Sequence, residues 1–519
     1  MISEISLRLS PRQASADDSI RKAIAENLGL PVSEINAFQI VRHSVDARQR
    51  KIFINLSLRV ATGEDKTLPA DYTPVEYKKL PDEAPQVVIV GAGPAGLFAA
   101  LRAVELGIRP VVIERGKKVE DRLPDLTRIQ KTGVINPDSN YCYGEGGAGA
   151  YSDGKLFTRS KKRGNVKEIL DILHQHGASE KILYESHPHI GSDKLPEIIR
   201  NIRNTILQAG GRFLFETRFD SLILKDGEAV GIKTDRGEEI FGPVILATGH
   251  SAADVYHSLH DQGVKLEEKG FAMGFRVEHP QELINRIQYH NPPADILGCL
   301  PAAEYSYSCQ VDGRGVYTFC MCPGGVIVPA ATSEGELVVN GMSASARGGR
   351  WANSACVVEI RPEDIPGDEG NPLRLLDFQK DLERKFFAAS GNTINAPAQR
   401  LPDFVGGKVS DSLPRTSYVC GIHPARLDNL FPEFISGRLK KGLKTFDSRH
   451  KGFLNREGVA IGLESRTSSP VRIPRDPETL CHVECPGLYP CGEGAGYAGG
   501  IVSAAIDGRR VIDSISKNL

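Results

Sequence analysis

The chain has 519 residues, 40% hydrophobic and 25% charged, with 53 glycines, 32 prolines and a single tryptophan. That length holds roughly three domains of ordinary size and excludes a disordered, collagenous or small disulfide-stapled chain. With 64 Lys and Arg against 65 Asp and Glu, the formal net charge is −1. No global field therefore draws the protein to nucleic acid or an anionic membrane.

Met1-Ile2-Ser3-Glu4-Ile5 lacks the basic start and apolar run of a signal peptide. The longest uncharged apolar stretches, Val87 to Leu101 and Tyr497 to Ile506, are too short and too interrupted by glycine for a membrane span. A cytoplasmic protein without membrane attachment is expected, its ten scattered cysteines free. Residues 1–80 read as a β-α-β-β module. Ile2 to Leu9 alternates like a half-buried strand, Ser15-Ala16-Asp17-Asp18 caps a helix carrying Ile20, Ala23, Ile24 and Leu28, and Gly29 and Pro31 stop it. Strand-like runs follow at Ala37 to Val45 and Lys51 to Val60, and Pro69 to Pro85 reads as a linker.

After the linker, Gln86-Val87-Val88-Ile89-Val90 is a continuous apolar run, as in a parallel strand buried on both faces. It enters Gly91-Ala92-Gly93-Pro94-Ala95-Gly96, then a helix to Leu106, then a second strand from Arg109 to Ile113 ending in Glu114, 23 positions after Gly91. This order is a dinucleotide-binding fingerprint. Gly91 permits the tight turn, Gly93 lets backbone approach a pyrophosphate and Gly96 allows close helix-to-strand packing. Glu114 is placed to accept the ribose hydroxyls, with Pro94, Ala95 and Arg115 beside it.

Later elements discriminate among dinucleotides. Val244 to Gly249 is a buried strand ending in Thr248-Gly249, and Gly487 to Glu493 is a short strand ending in Gly492-Glu493, followed by a helix from Ile501 to Ile515. Together these resemble the FAD-binding domain of the flavoprotein group that includes fumarate reductases and aromatic hydroxylases. The resemblance implies that Gly492-Glu493 meets the ribityl and pyrophosphate region, although most of the group carries Asp where this chain has Glu493. The N–H groups of Gly499, Gly500 and Ile501, at a helix start, suit negative charge on a reduced flavin ring. Gly147, Ala148 and Asp153, in the loop from Gly144 to Asp153, are expected beside the same flavin half.

Several longer strings narrow the likeness: Tyr143-Gly144-Glu145-Gly146-Gly147-Ala148-Gly149-Ala150-Tyr151-Ser152-Asp153-Gly154-Lys155-Leu156, His189-Ile190-Gly191-Ser192-Asp193-Lys194-Leu195, Ala247-Thr248-Gly249-His250-Ser251, Cys320-Met321-Cys322-Pro323-Gly324-Gly325, Asn340-Gly341-Met342-Ser343 and Glu493-Gly494-Ala495-Gly496-Tyr497-Ala498-Gly499-Gly500. They resemble a family of FAD-dependent dehydrogenases of bacteria and plastids from about Val87 to the C-terminus, and the N-terminal module resembles that family's own. The expected fold is α/β. A discontinuous Rossmann-like FAD-binding domain over 84–250 and 455–519 is interrupted by an inserted α+β substrate domain over 251–454, and the small module occupies 1–80.

No second strand-GxGxxG-helix unit follows and no CxxC pair is present, so NAD(P)H, as a transient donor, is expected to act without its own Rossmann domain. Hydride transfer through flavin N5 to or from a small organic substrate is the leading expectation. Candidate reacting residues are His250 after the Thr-Gly strand end, the same-side pair Cys320 and Cys322, and Arg347 and Arg350 as a carboxylate clamp. Each has a plainer alternative: a loop-capping histidine, packed thiols, solvated arginines. No metal site is expected, since Cys481, His482, Cys485 and Cys491 lack a second ligand pair. Arg438, Lys440, Lys441, Lys444, Arg449 and Lys451 form a basic stretch that leaves open a flavin-dependent RNA-modifying or partner-docked protein, though a solvated helix face explains it as well. Net charge weighs against nucleic acid, and a non-catalytic flavoprotein scaffold is the third alternative.

Overall fold

The computed structural model describes residues 1–70, 72–157 and 164–518. Asp71 of the expected linker, and residues 158–163 and Leu519 of the expected cofactor domain, lie outside the described residues.

In the N-terminal module, strand Ile2–Leu9 pairs antiparallel with Phe53–Thr62, which pairs in turn with Ile35–Asp46. Helix Asp17–Leu28 buries Ile20 and Ile24 among Leu56, Leu58 and Val60 of the central strand. Gly29, at φ 66°, ends the helix with its N–H on the Ala25 carbonyl. The helix start differs from the sequence reading. Its N-cap, Ala16, makes no side-chain bond, and the capping box lies one turn earlier, where Ser10 and Gln13 bond reciprocally before the short helix Pro11–Ala14.

The proline-rich segment after the module is strapped down. The Val75 backbone bonds Gln175 through both N–H (2.9 Å) and carbonyl (2.8 Å), the Leu80 N–H bonds the Ala209 carbonyl at 2.8 Å, and Leu80 and Ala84 are buried. Backbone that cannot form a ladder finds partners on the neighbouring domain instead.

That domain is built on a parallel sheet with Gln86–Val90 at its centre. Arg109–Ile113 and Arg212–Leu214 lie on one side, Val244–Leu246 and Leu488–Pro490 on the other. Alternate residues of the central strand serve opposite faces. Val87 and Ile89 pack under helices Pro94–Glu105 and Ile501–Ile515, while Val88 and Val90 pack against a small antiparallel sheet and helix Ala253–Asp261. The chain leaves the central strand in one direction and returns on the other side, so a crevice opens at the strands' carboxyl ends. Glycine sets the helix approach. A Cβ on Gly96 would lie 1.9 Å from the Gly91 carbonyl oxygen, and one on Gly508 would lie 2.1 Å from that of Ala95.

The insert is a seven-stranded sheet around Phe271–Pro280, flanked by Trp351–Ile360 and Val459–Glu464. Both expected boundaries need correction. Helix Ala253–Asp261 belongs to the core of the parallel-sheet domain, so the insert begins near Phe271; Val459–Glu464 is an inner strand of the insert's sheet, so 454 is too early an end. The sequence reading took the return to the cofactor domain from glycine motifs, which say nothing about a strand that crosses back later.

Gly96→Ala should destabilise the protein by about 1–3 kcal/mol through overpacking. Gly406→Ala, whose Cβ meets nothing within 4 Å, should stay within about 0.5 kcal/mol; thermal unfolding compares them. His279 is buried with Nε2 bonded to the Phe453 carbonyl at 2.8 Å, and burial lowers its pKa from 6.5 to about 4. The unfolded chain therefore binds the proton more tightly, and this group's contribution is complete above pH 6.5 and lost as pH falls toward 4, by roughly 3 kcal/mol. Denaturant unfolding of His279→Gln at pH 7 and pH 4.5 should show the smaller acid loss.

Candidate functional site

The crevice is a cleft enclosing about 1760 Å³ counted to its solvent-open mouth, and it is lined from the parallel sheet across to the insert. At the sheet end stands Glu114. One carboxylate oxygen accepts the Ala92 N–H (2.9 Å), the other those of Gly116 (2.9 Å) and Gly144 (3.0 Å). The charge is thereby shared among three loops. Gly93, the N-cap of helix Pro94–Glu105, lines the cleft with Pro94 and Ala95, and a Cβ there would meet nothing within 4 Å. Gly96 lies behind the wall, as its packing role requires. Arg115 stacks over Tyr143 at 4.2 Å and pairs with Asp138 (2.8 Å) and Asp254 (3.0 Å).

Gly147 and Ala148 line the next part of the wall. Their loop is held by a residue that sequence reasoning missed. Arg122 is fully buried and donates to the carbonyls of Asn140 (2.7 Å), Glu145 (2.7 Å) and Gly147 (2.9 Å). Burial drives its pKa down against the pull of nearby Tyr151 and Glu114. No spacing rule marks an arginine that serves only backbone carbonyls.

Thr248, Gly249 and His250 line the opposite side, facing Glu493, Gly499, Gly500 and Ile501. Glu493 accepts the Gly500 N–H and lies 3.6 Å from His250. The Gly499 N–H donates to Ser503 Oγ at 3.1 Å. Two of the three N–H groups expected to face a flavin ring are thus engaged within the protein. Gly492 stands behind the wall, its N–H on Asp507 at 2.8 Å. Burial lowers the pKa of His250, with Glu493 opposing, and its Nδ1 is buried without a protein partner.

The far wall comes from the insert and includes Cys320, Asn340, Gly341, Arg466 and Thr467. Asp153 lies between the two halves, ion-paired with Lys155 at 3.0 Å and gripped by both arms of the Arg347 guanidinium, Nε at 3.0 Å. Arg347 also reaches Glu304 at 3.6 Å. Its fork is occupied, so it is neither a free clamp for a substrate carboxylate nor a solvated surface charge. Arg350 is exposed over Trp351 at 5.0 Å and stands apart from the cleft lining. Arg466 belongs to a buried network with Glu383 (2.9 Å) and Glu336 (3.2 Å), joined by Lys380. Against the cost of burial, Arg466 and Lys380 hold the Glu383 carboxyl down to about 2.

Arg438 to Arg449 of the basic stretch lie on helix Glu433–Arg449, with Lys451 beyond its end, and three of these residues meet partners on other elements. Lys440 meets Asp428 at 2.8 Å, Lys441 meets Asp312 at 2.7 Å and Arg449 donates to the Ser308 carbonyl at 3.1 Å. All ten cysteines are free. Among the described residues no group of His, Cys, Asp or Glu is gathered to hold a metal ion, and no helix is long and apolar enough to cross a membrane.

The wall suits a dinucleotide. Added Cβ atoms on Gly93, Gly249, Gly499 and Gly500 would all meet open space, the helix start at Gly93 faces the cleft beside the Glu114 carboxylate, and the buried His250 Nδ1 lacks a partner.

Residues 270–467 match the profile of a family described as "FAD-dependent protein, C-terminal domain-like", and residues 1–61 match a domain of unknown function. A protein of Clostridium beijerinckii described as uncharacterised is 39% identical over 534 residues, covering 98% of each chain. Among solved structures, CtdE in complex with FAD is 12% identical over 84% of this chain and 85% of that one, with a TM-score of 0.34. A geranylgeranyl bacteriochlorophyll reductase-like protein of Thermoplasma acidophilum is 13% identical over 84% and 80%, with a TM-score of 0.33. The flavin-dependent halogenase CmlS is 14% identical over 84% and 59%, with a TM-score of 0.34.

Glu114→Ala should weaken dinucleotide binding about 10- to 100-fold, the worth of charge-assisted hydrogen bonds. Equilibrium dialysis against FAD measures it, and an unchanged affinity would contradict the placement of the ribose at this carboxylate.

Proposed function

Because the chain belongs to the family of FAD-dependent proteins, we propose that it is an oxidoreductase that binds FAD in the strand-end cleft and moves a hydride between a small organic substrate and NAD(P)H or another electron carrier. The observation that carries this reading is the Glu114 carboxylate beside an open glycine turn and a helix start, at the switch point of a parallel sheet. Gly91 to Ala95 and Glu114 hold the ADP half. Gly147, Ala148, Thr248, Gly249, Glu493, Gly500 and Ile501 hold the flavin half.

Bound flavin supplies two-electron chemistry at N5, and the rest falls to the chain itself. His250 has its Nδ1 free to bond a group in the cleft, and with burial lowering its pKa it rests neutral near pH 7. Arg466 and Thr467, with Asn340, face the space left for substrate, and the buried carboxylates behind Arg466 fix its position. The Asp153–Arg347 pair fixes the loop that closes the cleft from the insert side.

The reading includes a cytoplasmic enzyme that takes a small molecule. A docked nucleic acid is the weaker alternative, because Lys440, Lys441 and Arg449 of the basic helix already have partners. The test is anaerobic mixing with NADH and then NADPH while following the flavin's long-wavelength absorption band. Bleaching by one of them is expected. Protein without that band even after FAD addition would overturn the reading, and a band that no reductant bleaches would leave only a scaffold.

A further inference from the structure

The thiols of Cys320 and Cys322 remain unused in the proposal above. Both end the strand Arg314–Cys322, whose pairing with Trp351–Ile360 slips between Phe319 and Cys322; Cys320 stands there at φ 46°, a left-handed conformation uncommon for a side-chain-bearing residue. The slip turns Cys320 into the cleft wall while Cys322 lies fully buried behind it. The Cys322 Sγ is 3.4 Å from the Cys320 carbonyl oxygen and 3.4 Å from Arg276 Nη2, which itself donates to that carbonyl at 2.6 Å. On an extended strand Cα atoms two apart are about 6.5 Å apart, near the upper end of the disulfide span, and the left-handed turn at Cys320 departs from that extended spacing.

The charges around the pair come from every side. Lys155 and Asp153 face it from the glycine-rich loop, Arg276 from strand Phe271–Pro280 and Glu464 from strand Val459–Glu464. The Arg276–Glu464 pair, at 3.0 Å, is fully buried. The neighbouring Cys322 thiol, and against burial the cations Lys155 and Arg276, hold the Cys320 thiol well below its ordinary range. The neighbouring Cys320, together with burial, pushes Cys322 well above it. Cys320 is the sulfur a molecule in the cleft can reach, and Cys322 stands behind it with its thiol on the Cys320 carbonyl.

We propose that Cys320 and Cys322 form a redox-active dithiol that reduces a low-molecular-weight disulfide entering the cleft. The Cys320 thiolate attacks one sulfur of the substrate, forming a mixed disulfide and releasing the first thiolate. The Cys322 thiol then gives its proton to that released thiolate and attacks Cys320; the Cys320–Cys322 bond forms and the second substrate thiolate leaves. Two electrons pass from the two cysteines to the substrate. A small molecule is the fitting partner because Cys320 lies within the cleft wall. The proposal rests on the FAD reading only for what returns the cysteines to the dithiol.

The test uses the full-length protein, its flavin content recorded from the absorption spectrum. Reduced protein is exposed to oxidised glutathione, quenched by alkylation, and the peptide carrying both cysteines is weighed. The expected change is from two alkyl groups to none, with the loss of two hydrogens. Cys322→Ser should stop at a glutathione adduct on Cys320, and Lys155→Met should slow alkylation of Cys320 at neutral pH about tenfold. Wild-type protein that keeps both sites alkylatable overturns the proposal without recourse to any variant. Loss of two hydrogens in protein that binds no flavin would support the thiol chemistry while sinking the FAD reading, and a flavin-loaded protein with unreactive thiols would do the reverse.

Discussion

The cleft is organised by one carboxylate. Glu114 takes backbone N–H groups from Ala92, Gly116 and Gly144, and so ties the end of the central strand's turn to its own loop and to the long glycine-rich segment. The three loops come from distant stretches of chain, and none has regular structure to fix it. A buried acceptor that satisfies three donors at once defines their separation more sharply than apolar packing can. Around that joint the glycines act as spacers. Gly96 lets its helix touch the Gly91 carbonyl, and Gly508 lets the C-terminal helix touch Ala95, so two helix starts are brought to the same opening.

On the insert side, fixed charge takes over from glycine. Arg276 with Glu464, Arg347 with Asp153, and Arg466 with Glu383 and Glu336 are all largely withdrawn from water. Such pairs add little net stability compared with a well-packed apolar core, but removing one partner strands the other at a cost of about 3–5 kcal/mol. Their value is orientation. Each holds a polar head in one place at the back of the cleft, so the wall presented to a ligand has a set pattern of charge and needs no rearrangement of solvent to create it.

The parallel-sheet half was legible because its constraints are local. Gly91 and Gly96 answer close backbone approaches and Glu114 answers three backbone N–H groups, and with Gly93 their spacing follows from one strand, one helix and one more strand. The strand Gln86–Val90 and the helix Ile501–Ile515 stand where their apolar patterns put them. The insert was not legible in the same way. Arg347 looked like any arginine in a glycine run because Asp153 is far away in sequence. Arg122 serves carbonyls and leaves no pattern at all. Val459–Glu464 was assigned to the wrong side of a boundary because its partner, Phe271–Pro280, lies nearly two hundred residues earlier. The Cys320 and Cys322 spacing suggested a shared face, but the slip in register that gives the two thiols unlike surroundings comes from pairing with Trp351–Ile360, which no spacing within the motif encodes.

The N-terminal module touches both halves of the molecule. His43 bonds Glu185 of the parallel-sheet domain at 2.9 Å, its carbonyl accepts the Ser186 N–H at 3.0 Å, the Ala47 carbonyl faces His290 of the insert at 2.9 Å, and Ile52 sits in the insert's apolar core. A hairpin anchored at two such points works as a brace. With it in place, and with the proline-rich strap pinned along the neighbouring helices, the two halves cannot rotate apart without breaking those bonds. The module thus ties the wall built on the parallel sheet to the wall built on the insert and fixes the spacing between them.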